Sequence, residues 1–588
     1  MTDRNPYIVT KALNSYLKGS VIIAISSHLV TTTDALMVSW LIGPKALTAV
    51  NIVIPVLALF STLMIMLSTG ASISISKALG HRDKEAVNLS FSSSFLGAML
   101  LGVISAFVTY KFASDIVSFL THGDDSLFEY SLQYLKTYCY GIPFLIMAGV
   151  LGNVARTDGN TRLVSIAVWI GIILNVILDV VFVGFLNYGI AGAAWATAIN
   201  YLLVLIICLF HFVSRDNTIK WSSDFRHYFI RIVKNCKLGF STSLANLLLA
   251  VSLFAINSLM LRYQGDEGIY CWAVCYQIFL ILQMLLSGID ASIFAIGGVL
   301  LGEDDVTGLD FLYRRSAIYL IITVIVLSGA IIFFPEFFGN LFGNKGEDRL
   351  DLLPSVLKIF SIFLLPYALI MQVRAVYTIL ERGKLSLFLC IAIFSLMILF
   401  VFIACVLNLN PIWWSFPISA WFLLFFVFIY SSIIHFRNKN LRLFSLIPKT
   451  VPDPAFNTSV SLNEESVHKA ESDITSFLQD HKINTDETGR IINLTDRIIN
   501  IMLQNLLKDK KKKRFFDINT RIKTNKIIII LKDDGNRLDQ EKENEIINGL
   551  DINLEKEKSQ DPEATKYINF TTNYFYMNEQ NTFTLSFG

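Results

Sequence analysis

Two carboxylates stand inside stretches of this sequence that are otherwise apolar. Asp34 follows Thr31-Thr32-Thr33 and precedes Ala35-Leu36-Met37, and Asp179 closes the run Leu174-Asn175-Val176-Ile177-Leu178. Asn175 and Asp179 are four apart, so a helix stacks them on one face. Thr197 lies in a Gly- and Ala-rich run beginning at Gly189, a composition that lets helices approach closely. An ionisable side chain at the centre of a membrane helix costs about 3 kcal/mol on insertion scales and faces the bundle interior. Asp34, Asn175, Asp179 and Thr197 together form an oxygen-rich set. Such a set suits a hard cation such as Na+, or a proton, because two neighbouring carboxylates share one readily. A hydrogen-bond knot that only ties helices together is the plainer alternative.

The elements that must position these residues follow from composition. Of the 588 residues 54% are hydrophobic and 16% charged, against about 25% charged in soluble proteins. Charged residues fill 54 of the first 450 positions but 42 of the last 138, so a membrane part and a soluble part share one chain. The net charge of +2 gives no reason to expect a nucleic-acid partner, and the run Lys510–Arg514 reads as a solvated loop. The seven Cys all lie in or beside apolar segments and read as small core residues.

A spanning helix needs about 20 mostly apolar residues. Twelve stretches qualify, near 18–43, 47–77, 89–112, 131–155, 162–186, 188–213, 238–262, 267–300, 315–338, 353–380, 385–407 and 411–436. With the N-terminus inside, the inner segments carry 22 Lys and Arg and the outer ones 7, which places both termini in the cytoplasm. Internal matches divide the twelve into two six-helix repeats. Asp34-Ala35-Leu36-Met37 pairs with Asn257-Ser258-Leu259-Met260, Leu79-Gly80 with Leu301-Gly302, Pro143 with Pro366 and Gly159 with Gly383. Two such bundles around a cleft are the usual build of an alternating-access transporter. The second half holds one deep acid, Asp290, and a buried base, Arg374, which suit either a substrate contact or an ion pair.

The ordered motifs resemble the multidrug and toxic compound extrusion (MATE) family of cation-coupled exporters over roughly residues 15–436. They are the helix 1 Asp34, the Gly80-His81-Arg82-Asp83 turn, Arg156-Thr157-Asp158-Gly159, Asn175 with Asp179, and the Gly189–Thr197 run. The resemblance implies an Na+- or H+-coupled antiporter of organic cations or amphipathic solutes in the plasma membrane of a prokaryote. It also implies that Asp34, Asn175, Asp179 and Thr197 hold the coupling ion. Family branches with working acids on helices 7 and 10 are disfavoured, because helix 7 has no acid and the counterpart of Asp34 is Asn257.

Domains are expected at 1–17 (an N-terminal tail), 18–225 and 226–440 (the two lobes), 441–463 (a linker) and 464–588. The last is a small cytoplasmic α/β two-layer domain, with helices at 464–480 and 486–508 and strands at 515–523, 526–532, 567–577 and 582–586. It resembles the histidine-kinase-like ATP-binding fold, nearest the anti-sigma-factor kinases. Asp496 and Asn500 match that family's acid and magnesium-holding Asn, and Asp533-Asp534-Gly535 matches its adenine-reading motif. The Gly-rich phosphate lid is missing, which favours a degenerate, non-enzymatic module that binds a cytoplasmic protein partner over one that binds ATP and Mg2+. Two rival functions stay open. One is a lipid-linked-sugar flippase of the same superfamily, the other a membrane-bound signalling protein working through its tail.

Overall fold

Long apolar runs with few helix breakers give long helices. The computed structural model describes residues 5–21, 42, 44–121, 125–213, 219–341, 352–407, 411–450, 453–461, 464–481, 483, 485–507, 515–523, 526–533, 570–577 and 580–587. It divides into a membrane unit, Leu17–Glu303 with Tyr313–Ile447, and a soluble unit, Met1–Tyr16 with Asp304–Leu312 and Pro448–Gly588.

The helices of the first repeat are α1 (residues 7–21), α2 (Pro44–Gly80), α3 (Lys84–Lys111), α4 (Ala113–Thr121), α5 (Asp125–Tyr138), α6 (Ile142–Thr157), α7 (Thr161–Asp179) and α8 (Gly189–Val213). The second repeat follows as α9 (Tyr228–Ser292), α10 (Gly298–Gly302), α11 (Val306–Phe333), α12 (Pro335–Leu341), α13 (Leu353–Ile379), α14 (Gly383–Val406) and α15 (Ser415–Arg437). Among the described residues 11 stretches are long and apolar enough to cross a membrane. The first expected helix, 18–43, lies largely outside the described residues. Phe254, Phe333 and Phe436 point outward with most of their surface uncovered. Outward apolar side chains of this kind suit a lipid surrounding.

The seventh and eighth expected helices emerge as the single helix α9, 65 residues long. Thr242 and Asp290, both on α9, bond the same guanidinium of Arg374. A straight helix would hold them about 72 Å apart at 1.5 Å per residue. The helix therefore turns back on itself between its two candidate spans, Phe225–Gln264 and Val274–Gly302.

The repeat is visible in the backbone. Arg82 (φ 60°) and Asp304 (φ 56°) are left-handed, as are Gly159 (φ 96°) and Glu381 (φ 57°). Each pair is 222 positions apart (82 to 304, 159 to 381) and ends equivalent helices. The match expected between Gly159 and Gly383 is thus shifted by two: the turn residue is Glu381, and Gly383 opens α14.

The two repeats meet where α2 and α10 end. Carbon atoms are so close there that a Cβ on Gly80 would lie 2.7 Å from Cα of Gly302. Two ion pairs flank this contact: Arg82 Nη2 with Glu303 Oε1 at 2.7 Å, and Lys77 Nζ with Glu381 Oε1 at 2.7 Å. The Glu303 carboxylate is fully buried, whereas Glu381 is more than half exposed. Glu381 lies in the turn between spans, and its bond to Lys77 holds its carboxyl below the usual range.

In the soluble unit, β1 (Ala455–Ser461), α16 (Glu464–Asp480), α17 (Thr485–Leu507), β2 (Phe515–Lys523), β3 (Lys526–Asp533), β4 (Phe570–Met577) and β5 (Gln580–Phe587) follow in order. The strands form one antiparallel sheet, β1-β2-β3-β5-β4. Alternation on the strands sends Ile518, Ile529 and Leu585 to one face, where Ile474 of α16 and Ile498 of α17 pack on them. The segment expected as a linker supplies β1: its Phe456 and Val460 alternate inward like any edge strand. The first residues join the same unit. Asn5 N–H donates to Ser459 Oγ at 2.8 Å, the ring of Tyr7 packs on Phe515, and Lys523 Nζ donates to Asp304 at 2.8 Å.

Candidate membrane ion site

Asn160 caps α7 by accepting from Leu163 N–H at 3.1 Å. The helix then carries Gly171, Asn175 and Asp179 at four-residue steps along one buried stripe. Asn175 Nδ2 donates to Asp179 Oδ2 at 3.2 Å, and both side chains are about 1% exposed. Immediately after Asp179 the chain widens into a π-helical turn, Val180–Phe185. Such turns rearrange backbone carbonyls and recur at functional sites. Asp290 stands before a second π-helical turn, Ile293–Gly297. Nothing in residue type or spacing signals either turn.

The neighbouring helix α8 packs against α7. Thr197 on it is buried, its Oγ1 donating to the Ala193 carbonyl at 3.1 Å. One turn later comes Asn200, 3% exposed, which the sequence reading passed over. Its Oδ1 lies directly over Gly171, where the methyl of an alanine would overlap it. The structure thus brings Asn175 and Asp179 together and adds Asn200 beside their stripe. Asp34 lies outside the described residues. Among those residues no three His, Cys, Asp or Glu side chains converge as metal donors. Among the described residues, amide, hydroxyl and carboxylate oxygens are the donors on hand, the kind that suit a hard cation.

The second lobe has a different character. Arg374 Nη2 donates to Asp290 Oδ2 at 2.6 Å and Nη1 to Thr242 Oγ1 at 3.1 Å. Two turns away on both helices, Gln283 Nε2 donates to the Tyr367 hydroxyl at 2.9 Å. These two rungs brace α13 against α9. A further buried cluster, unforeseen in the sequence, sits where α6 turns into α7. His211 Nε2 pairs with Asp158 at 2.8 Å and its Nδ1 lies 3.2 Å from Asn160 Nδ2.

In the soluble unit Asn500 is exposed and donates to Asp496 Oδ1 at 3.1 Å. Burial, then Asp496 beside it, pushes the Glu471 carboxyl of α16 up from its usual range. Asp533 is buried at the end of β3, where Asn581 Nδ2 donates to its Oδ1 at 2.7 Å. Gly535 lies outside the described residues.

The sequence profile of the family described as MatE matches residues 20–181 and again 242–403. The two matches start 222 positions apart (20 to 242), the spacing of the left-handed turns. At that spacing Asn175 and Asp179 fall on Met397 and Val401. The Asn175–Asp179 pair therefore has no copy in the second repeat, whereas Thr197 falls on Ser419. The chain is similar to the multidrug export protein MepA of Staphylococcus saprophyticus, 23% identical over 288 residues, which are 49% of this chain and 61% of that protein. It is also similar to the probable multidrug resistance protein YoeA of Bacillus subtilis, 25% identical over 276 residues, or 45% of this chain and 59% of the relative. The matched part spans about three fifths of these relatives' length. Among solved structures it resembles the outward-facing conformation of a multidrug resistance MATE family transporter of the MOP superfamily. There the TM-score is 0.66 and the identity 22%, over 73% of this chain and 96% of the other. With both repeats matched, over more than half of its residues, the chain belongs to the MatE family.

Proposed function

We propose that this protein is a secondary-active exporter that moves organic cations or amphipathic solutes outward against Na+ or H+ by alternating access. The observation that carries the reading is the buried Asn175–Asp179 pair, placed in an apolar span of one repeat with no equivalent in the other. A carboxylate there is costly as mere glue, and coupling explains it. The names of the relatives support solute export, and their coverage leaves the substrate range to this proposal. Twelve spanning helices with both termini cytoplasmic, in a prokaryotic plasma membrane, complete the reading. In it Asp34, Asn175, Asp179 and Thr197 hold the coupling ion. The Asp290–Arg374 pair braces the second lobe. The test is export of fluorescent cations from inside-out vesicles under imposed sodium or proton gradients. No gradient-dependent transport of any tested solute would refute the reading.

Alternating access requires the contact at Gly80 and Gly302 to part. Glu303→Gln keeps a hydrogen bond to Arg82 but removes the charge that roughly doubles its strength. The closed end should then open more readily by about 1 kcal/mol, a roughly fivefold change. Hydrogen exchange of the 79–84 and 301–305 peptides reads this directly. Unchanged exchange would show that the ion pair does not hold the end shut.

The tail, in this proposal, is a regulatory module of degenerate nucleotide-binding type that meets a cytoplasmic protein partner. The Asp496 and Asn500 side chains pair with each other, and Asp533 is committed to Asn581. Calorimetric titration of the full chain with ATP and Mg2+ should show no binding, or binding weaker than about 100 μM, roughly −5.5 kcal/mol. Micromolar affinity lost in Asn500→Ala would make the tail a nucleotide sensor.

A further inference from the structure

We propose that β2 is a strap between the two lobes, through which the soluble unit restrains opening at the Gly80–Gly302 end. The inference rests on the alternating-access reading and adds its regulation. The soluble unit contains two short segments that run on into the lobes. One is the start of α1, residues 7–16, which continues unbroken to residue 21. There a Cβ on Gly19 would stand 2.8 Å from Cβ of Thr161 on α7, which sets α1 against the first lobe. The other is Asp304–Leu312, which runs into α11 of the second lobe.

One strand grips both segments. At the start of β2 the Phe515 ring packs on Tyr7, with 5.7 Å between centroids. Two residues on, Asp517 Oδ1 accepts from Ser459 Oγ at 2.6 Å, and Ser459 Oγ accepts from Asn5 N–H at 2.8 Å. At the last residue of β2, Lys523 Nζ donates to Asp304 Oδ2 at 2.8 Å. Alternation puts residues 515, 517 and 523 on the sheet face turned away from Phe516 and Ile518, which pack in the core. Asn519 and Arg521 lie between them on that face, and both are buried. The ends of the strand are about 26 Å apart at roughly 3.3 Å per residue. An extended strand is near its full length, and β2 is paired to β1 on one side and β3 on the other. It therefore acts as a strut of fixed length.

Asp304 follows Glu303, whose buried carboxylate pairs with Arg82 at this end. Parting of the lobes moves Asp304 relative to α1, and a strut of fixed length permits that only if one grip lets go. Lys523 and Asp304 are 37% and 35% exposed, so theirs is the grip that water can loosen.

The test is hydrogen exchange of the purified full chain, read at peptides 79–84 and 301–305, with sheet peptides 527–533 and 582–587 as controls. Lys523→Glu should speed exchange at the first two by about two- to fivefold, the scale of one partly exposed ion pair. The sheet peptides should not change. Asp304→Arg should act alike, since Arg82 shows that the equivalent left-handed turn accepts a long cation. Combining the two reverses the pair and should restore the parental rate. Asn5→Pro with Tyr7→Ala, both outside the sheet, loosens only the far grip and should also speed exchange at 79–84 and 301–305. No acceleration from that far pair would overturn the strap, because the two grips would then act independently. Exchange as fast in the reversed pair as in its single variants would overturn it too, because the contact would not be the cause. Exchange needs no transport, so the two readings fail separately. Gradient-driven export by a parent protein whose variants leave exchange unchanged keeps the transporter and sinks the strap.

Discussion

Asp179→Asn should abolish gradient-driven export while leaving the protein folded in the membrane. The substitution is isosteric, and the new amide oxygen can still accept from Asn175 Nδ2, whose bond now spans 3.2 Å. The change also removes a charge whose placement in a spanning helix costs about 3 kcal/mol on insertion scales. Stability should therefore hold or rise. What disappears is the group that can bind and release a cation or proton. Export from inside-out vesicles should fall to the level of vesicles without the protein under either gradient. Asp34→Asn is expected to behave alike. If both variants pump at the parental rate, the coupling site lies elsewhere, and Asp290 becomes the next residue to test.

The polar residues of the first lobe were legible because a membrane makes them expensive: Asp179 stands out against its apolar run, and the four-residue spacing to Asn175 places the pair. Asn200 was not legible. An amide among leucines and alanines is a weak signal, and only the approach of its Oδ1 to Gly171 gives it meaning. The repeat was readable, but its register was not fixed by short matches. Glu381 in a left-handed turn looks like any acid, and the nearby Gly383 drew the alignment off by two. Hydropathy read two spans within α9, and the structure has two, Phe225–Gln264 and Val274–Gly302; what hydropathy did not reveal is that the helix is continuous between them. In the soluble unit the helices and four strands followed from alternation and length. The strand β1 hid in a stretch with Pro and Ser nearby. The inclusion of residues 1–16 could not be foreseen, since Asn5 bonds Ser459 across 454 positions.

Arg374→Met alone should destabilise the membrane unit strongly, by about 3–5 kcal/mol, because it strands a buried carboxylate without its partner. The Arg374 side chain is 3% exposed, that of Asp290 14%, and their contact is 2.6 Å, so water replaces the lost partner only in part. Asp290→Leu alone should cost on the same scale, now stranding the guanidinium. Removing both, in Asp290→Leu/Arg374→Met, should recover most of the loss, since replacing a whole buried pair by apolar groups of similar volume is often neutral. Fluorescence-detected thermal unfolding of the four proteins, treated as a double-mutant cycle, measures the coupling. Export separates a brace from a substrate contact. A carboxylate already neutralised by a guanidinium is a poor counter-ion for a cationic solute. The stable double variant should therefore still export organic cations near the parental rate. Loss of export in a double variant that is fully folded would move Asp290 and Arg374 from the framework of the second lobe onto the path of the solute.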